Sequence, residues 1–177
     1  MAAASGWDSL PAIAYAETIT LIERLHRRFL DVLRIELERL GIDQINNVQS
    51  LLLANIGREE VSVGELMTRG YYLGSNVTYN LKRLVEAGFI EQHRSRHDRR
   101  VVRVRLTERG HALCTEINAM LVRHSAELST REGLAPLDQL NGRLKALETF
   151  WTEQITRPAA SALGDGAEQY APLRAGY

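Results

Sequence analysis

Six polar side chains, Ser75, Asn76, Thr78, Tyr79, Lys82 and Arg83, are threaded between Val77, Leu81 and Leu84, which recur at i, i+4 and i+7. If the apolar three face a core, a helical wheel puts the polar six on exposed and flanking faces. The chemistry open to them is that of a base edge. Asn pairs bidentately with adenine, Ser and Thr bond a base or a phosphate, and a Thr methyl or Tyr ring touches the thymine methyl. Lys82 and Arg83 suit phosphate oxygens, which position a protein without reading sequence. Soon afterwards comes the run Arg94-Ser95-Arg96-His97-Asp98-Arg99-Arg100, whose arginines fall at a turn that offers no burial. An arginine entering a narrow minor groove is a mode of shape readout. A solvated amphipathic face is the blander reading of the helix alone. The arginine-dense hairpin directly behind it shifts the balance to duplex DNA.

Charge distribution agrees. The 177 residues hold 22 Lys plus Arg against 22 Asp plus Glu, so the whole-chain balance says nothing of an acidic partner. From Gly74 to Arg105, however, eight basic residues (Lys82, Arg83, Arg94, Arg96, Arg99, Arg100, Arg103 and Arg105) stand against Glu86, Glu91 and Asp98, a basic patch on an acidic body. Cys114 is the only cysteine, which excludes an intramolecular disulfide and fits a reducing compartment. With no bilayer-length apolar run and no basic-then-apolar leader, a cytoplasmic protein is expected, nucleoid-associated when bound to DNA.

The elements that must hold these residues follow from periodicity. Residues 12–40 carry Ile22, Leu25, Phe29, Leu33, Leu37 and Leu40 as one helical stripe, with Gly41 as the stop. Ile19, Leu30, Val32 and Ile35 widen it, as in a helix packed on two sides, where a second chain can cover the extra face. A second helix is expected over 46–56, closed by Gly57. Ser62 and Glu65 are spaced as a capping box before a very short third helix. A fourth runs 75–87 to Gly88. Residues 89–94 and 101–106 alternate as strands around the hairpin at 95–100. Thr107 caps a long fifth helix to about residue 128. Pro136 opens a last helix whose Leu137, Leu140, Leu144, Leu147, Trp151 and Ile155 form a seam suited to an interface, and Pro158 ends it. The expected fold is mostly α with a small two-stranded antiparallel wing: a winged helix-turn-helix with long N- and C-terminal dimerisation helices.

Asp98, Arg99 and Arg100, followed by Val104, Leu106, Thr107 and Gly110, resemble the wing signature of the MarR family of winged-helix transcriptional regulators. Leu84, Glu86, Gly88, Phe89 and Ile90 are similar to that family's exit from recognition helix to wing. The resemblance covers about residues 15–157. It implies an N-terminal arm (1–14), a dimerisation helix (15–44), a DNA-binding winged helix (45–107), C-terminal dimerisation helices (108–157) and a tail (158–177). It further implies a homodimer on a pseudo-palindromic operator, Arg100 in the minor groove, and Asp98 orienting Arg100 or its neighbour through a salt bridge. Ile22, Phe29, Leu137, Leu140, Leu144, Leu147 and Trp151 would lie in the dimer interface. Members of the family are usually repressors released by a small aromatic or anionic effector, for which Phe29, Leu33, Asn46, Gln49, Met67, Tyr71 and Tyr72 are candidate pocket residues. The lead Tyr71-Tyr72-Leu73-Gly74, the long first helix and the tail depart from the commonest members.

Other classes have less behind them. No nucleophile elbow, glycine-rich phosphate loop or paired helical histidines point to an enzyme, and no cofactor is expected. His93, His97 and His111 lack one fixed face for a metal. A lone helical cysteine such as Cys114 is more often packed than redox-active. The main alternative is a helical protein–protein interaction module without DNA binding. Salt separates the two, because phosphate contacts weaken steeply as salt rises.

Overall fold

The computed structural model describes residues 10–57, 59–68, 74–94, 98, 100–131 and 137–157. Its elements, in order, are α1 (Leu10–Arg39), α2 (Asn47–Ile56), β1 (Val61–Ser62), α3 (Val63–Thr68), α4 (Gly74–Glu86), β2 (Ile90–Arg94), β3 (Val102–Leu106), α5 (Glu108–Ser129) and α6 (Leu137–Thr156). Compactness divides the chain into residues 1–125 and 126–177.

In the first unit, the C-terminal half of α1 supplies Leu33 and Leu37 to a core shared with α2, α3, α4, the sheet and the first turns of α5. Leu25 of the α1 stripe is 62% exposed, because packing against the core of this chain begins along the helix only at Phe29. The sheet has three strands in the order β1-β3-β2, all antiparallel, rather than two. Val61 and Ser62 pair with Val104 and Arg103 of β3. Two residues are too few to show a period of their own, so the partner strand defines them.

The local signals work as their chemistry requires. Ser62 Oγ accepts the Glu65 amide at 3.1 Å and Glu65 accepts the Ser62 amide at 2.6 Å, completing the capping box. Helix α4 ends at Gly88, whose φ of 73° a residue with a Cβ adopts only at a cost. The Phe89 amide then donates to Leu84 O and the Gly88 amide to Val85 O, both at 2.9 Å, a Schellman closure that aims the chain into β2. Thr107 caps α5 by accepting the Gly110 amide at 3.1 Å while its hydroxyl donates to Gly88 O at 2.8 Å.

Glu36 of α1 is buried among these apolar side chains. Its carboxylate accepts Nε (3.0 Å) and Nη2 (2.8 Å) of Arg39 and Nη2 (2.8 Å) of Arg123 on α5. In the second unit no residue of α6 is buried; Leu137, Leu140, Leu144 and Ile155 are exposed, and Leu147 and Trp151 are half-buried. Among the described residues no helix is long and apolar enough to cross a membrane.

Candidate nucleic-acid interface

Val77, Leu81 and Leu84 are buried on one side of α4, so Asn76, Thr78, Tyr79, Lys82 and Arg83 all emerge on its exposed side. Tyr79 stands 62% exposed, which leaves its ring uncovered by its own chain. Ser75 lies in the first turn of α4. Lys82 Nζ and Arg83 Nη1 both approach Glu86, at 3.9 Å and 3.0 Å. Exposed pairs at this spacing contribute little, so a phosphate displaces Glu86 at small cost.

The wing brings a second set of groups to the same place. A cleft of about 640 Å³ is lined by Thr78 and Lys82 from α4, Arg100, Val101 and Val102 from the wing, and Ser62 and Gly64 at the start of α3. Helix and wing therefore face one space. Gln92 also lines it, a residue that sequence reasoning passed over. Counting by twos from buried Ile90 along β2 reaches Gln92 and is the signal that could have found it.

Asp98 does not form the expected ion pair with Arg100. Its Oδ1 accepts the Arg100 backbone amide at 2.9 Å, and its carbonyl accepts the Val101 amide at 2.9 Å. Asp98 thus shapes the turn through the backbone, an Asx turn. Arg96 and Arg99 lie outside the described residues, as do Tyr71 and Tyr72.

Among the described residues, the arginines of β3 are compensated, whereas Arg94 and Arg100 are not. Arg105 and Glu91 pair across β3 and β2 at 2.7 Å, and that hydrogen bond, followed by the carboxylate's charge, raises the Arg105 pKa further above its usual value. Glu60 faces Arg103 at 3.5 Å and His93 at 3.2 Å. Among the described residues, the guanidiniums of Arg94 and Arg100 have no carboxylate partner. Arginine charge without local compensation is what an anionic backbone requires.

Among the described residues, Asn46 is the one expected effector-pocket residue that lines a described cleft. Leu33 is core, Met67 is exposed, and Asn46 and Gln49 are occupied with each other as the capping box of α2. Asn46 does line a separate cleft of about 530 Å³ with Arg34, Leu37, Ile42 and Ile45. Burial raises the Cys114 thiol pKa, which lowers its thiolate fraction and favours a packing role. No cluster of three or more His, Cys, Asp or Glu side chains suited to a metal occurs among the described residues.

A family model described as MarR family matches residues 43–101. The Exopolysaccharide II synthesis transcriptional activator ExpG of Rhizobium meliloti (strain 1021) is 45% identical over 109 residues, covering 62% of this chain and 55% of the relative. The chain therefore spans about half the length of that curated relative. Among solved structures, Streptococcus pneumoniae FabT in complex with DNA aligns with a TM-score of 0.65 at 19% identity, over 79% of this chain and 99% of that one. The S. aureus MepR–DNA complex aligns at 0.61 and 16% identity, over 75% and 96%. At these identities the likeness is one of fold.

Proposed function

We propose that the chain, whose residues 43–101 match a MarR family model, is a sequence-specific, DNA-binding transcriptional regulator acting as a homodimer on a pseudo-palindromic operator. The observation that carries this reading is the shared cleft, where Thr78 and Lys82 of α4 meet Arg100 of the wing. In this reading Ser75, Asn76, Thr78 and Tyr79 read bases in the major groove. Lys82, Arg83, Arg96 and Arg99 hold phosphates, and Arg100 enters the minor groove. The two structural neighbours solved with DNA support it by fold. The test is selection of bound duplexes from a random pool, then titration of the best duplex at two salt concentrations. An enriched pseudo-palindrome with a steep salt slope is the expected result. No enrichment with no salt response overturns the reading in favour of a protein-binding module. Arg100→Ala is expected to weaken operator binding about tenfold, and an unchanged affinity removes it from the groove.

The uncovered α6 stripe, with Leu137, Leu140 and Leu144 exposed, supports the homodimer. Ile22 and Phe29 of α1 belong to the same proposed interface. Sedimentation is expected to give a dimer, and a mass of one 19.9 kDa chain would overturn it.

Release by a small aromatic or anionic effector is part of the proposal; its support is the family resemblance and the cleft beside Asn46 and Arg34. The sign of regulation has two readings. Repression follows the usual habit of the family, whereas the relative at 45% identity is named an activator. A reporter behind the selected operator, with and without the protein, decides between them.

A further inference from the structure

Two amides are buried where leucine would be the ordinary choice. Gln49 of α2 and Asn80 of α4 are 4% and 8% exposed, set between Leu52 and Leu53 on one side and Val77, Leu81 and Leu84 on the other. Asparagine is a poor helix-interior residue, and an amide taken from water must be hydrogen-bonded merely to break even. A leucine at position 80 would add helix propensity and apolar burial together. Stability alone therefore does not account for this pair.

What the amides supply is direction. The Asn46 amide donates to Gln49 Oε1 at 2.9 Å, Gln49 Nε2 donates to Asn80 Oδ1 at 3.1 Å, and Asn80 Nδ2 donates to the carbonyl of Asn76 at 2.8 Å. The far end of this relay is the backbone of an exposed residue on the first turns of α4. Its near end is anchored, because Asn47 Nδ2 donates to Leu30 O of α1 at 2.9 Å. Hydrogen bonds thus tie α1 to α2 at Asn47 and α2 to α4 at the Gln49–Asn80 pair, the last ending on the backbone of the first turns of α4.

Leucine packing tolerates rotation of a helix about its axis far better than a hydrogen bond does. With side-chain tips about 6 Å from that axis, a rotation of about 10° carries each tip about 1 Å. Base-edge contacts need placement to about 0.5 Å. We propose that Gln49 and Asn80 are positioning residues that set the rotation of α4, and with it the placement of Asn76 and Tyr79 on base edges. This inference rests on the DNA-binding reading above.

The test compares the full-length protein with Asn80→Leu and with the double variant Gln49→Leu/Asn80→Leu, which leaves neither side-chain amide without its partner but takes Gln49 Oε1 from the Asn46 amide. Three quantities are read: the urea midpoint, affinity for the selected operator, and affinity for a scrambled duplex of the same length. The expected result is a double variant that stays folded, its urea midpoint lowered only by loss of the bond that caps α2 at Asn46, with unchanged scrambled-duplex affinity and salt slope and an operator preference lower by about tenfold. Asn80→Gln, which keeps the amide, is expected to recover part of the preference, a response that a purely structural role would not give. A folded double variant with full operator preference overturns the inference, as does loss of both affinities in parallel. If the unaltered protein itself shows no preference among duplexes, the DNA-binding reading falls and takes the inference with it.

Discussion

Gly110→Ala is expected to destabilise the winged helix by about 3 kcal/mol, the largest effect of any single methyl addition among the described glycines. A Cβ at position 110 would stand 2.2 Å from the carbonyl oxygen of Phe89 and 3.3 Å from Cβ and Cδ2 of Leu106. That carbonyl cannot yield cheaply. It accepts the Thr107 amide at 3.1 Å, and it belongs to a fully buried residue just beyond the Schellman closure of α4. Relief therefore means moving α5 away from the junction where α4 enters β2. The Arg109 guanidinium stacks 4.3 Å over the Phe89 ring and donates to Ala87 O at 2.7 Å, so the same shift strips that clamp. Against a typical total of about 5–15 kcal/mol, the loss is a large share of stability. Urea unfolding measures it. Gly142→Ala in α6, where a Cβ meets nothing within 4 Å, is the internal control and should be neutral or slightly stabilising. A Gly110→Ala midpoint equal to that of the parent chain would refute the close-approach argument.

That junction shows where the sequence is legible and where it stops being so. Thr107 is legible as a cap because a hydroxyl at a helix start accepts an unpaired amide, and Gly110 through the family resemblance. The capping box at Ser62 and Glu65, the stop at Gly88 and the buried face Val77–Leu81–Leu84 were readable for the same reason: each is chemistry within one or two turns. The exposed polar face of α4 follows directly from them. Contacts that join distant segments left no such trace. Gln49 is bonded to a residue 31 positions away, and Arg109 reaches Gln44 across 65. The family resemblance implies an ion pair from Asp98 to Arg100 or its neighbour, whereas the bond the Asp98 carboxylate makes to the Arg100 backbone amide depends on turn geometry that a motif does not reveal. Leu25 lies on the expected stripe yet is exposed in the single chain, since periodicity identifies a face but not how far along a helix the chain's own core extends.

Glu36 is the furthest from being legible, an acid on an apolar helix face, and its removal is the second large effect expected. Its carboxylate is 8% exposed and accepts three hydrogen bonds from two arginines that are themselves about half exposed. Charge-assisted bonds at a buried acceptor are stronger than neutral ones. Solvent around Arg39 and Arg123 discounts them, so Glu36→Ala should cost about 3 kcal/mol, and Glu36→Gln, which fills the same volume, less. The Arg39 hydrogen bond is the largest influence on this carboxyl. With the Arg123 bond and both charges it outweighs burial, and the carboxyl pKa lies below its ordinary 4.5. A group whose folded pKa is depressed contributes stability above its unfolded pKa and loses it as pH falls through the folded value. The stability of the unaltered chain should therefore drop on acidification below about pH 4.5, and the drop should be shallower in Glu36→Gln, which has no proton to take up there. Parallel pH profiles for the two chains would mean that the α1–α5 crossing is held by its leucines alone and that the Arg39–Glu36–Arg123 cluster carries no net stability. A divergence confined to acid would assign that crossing, which fixes α5 and through Thr107 and Gly110 the root of the wing, to one buried carboxylate.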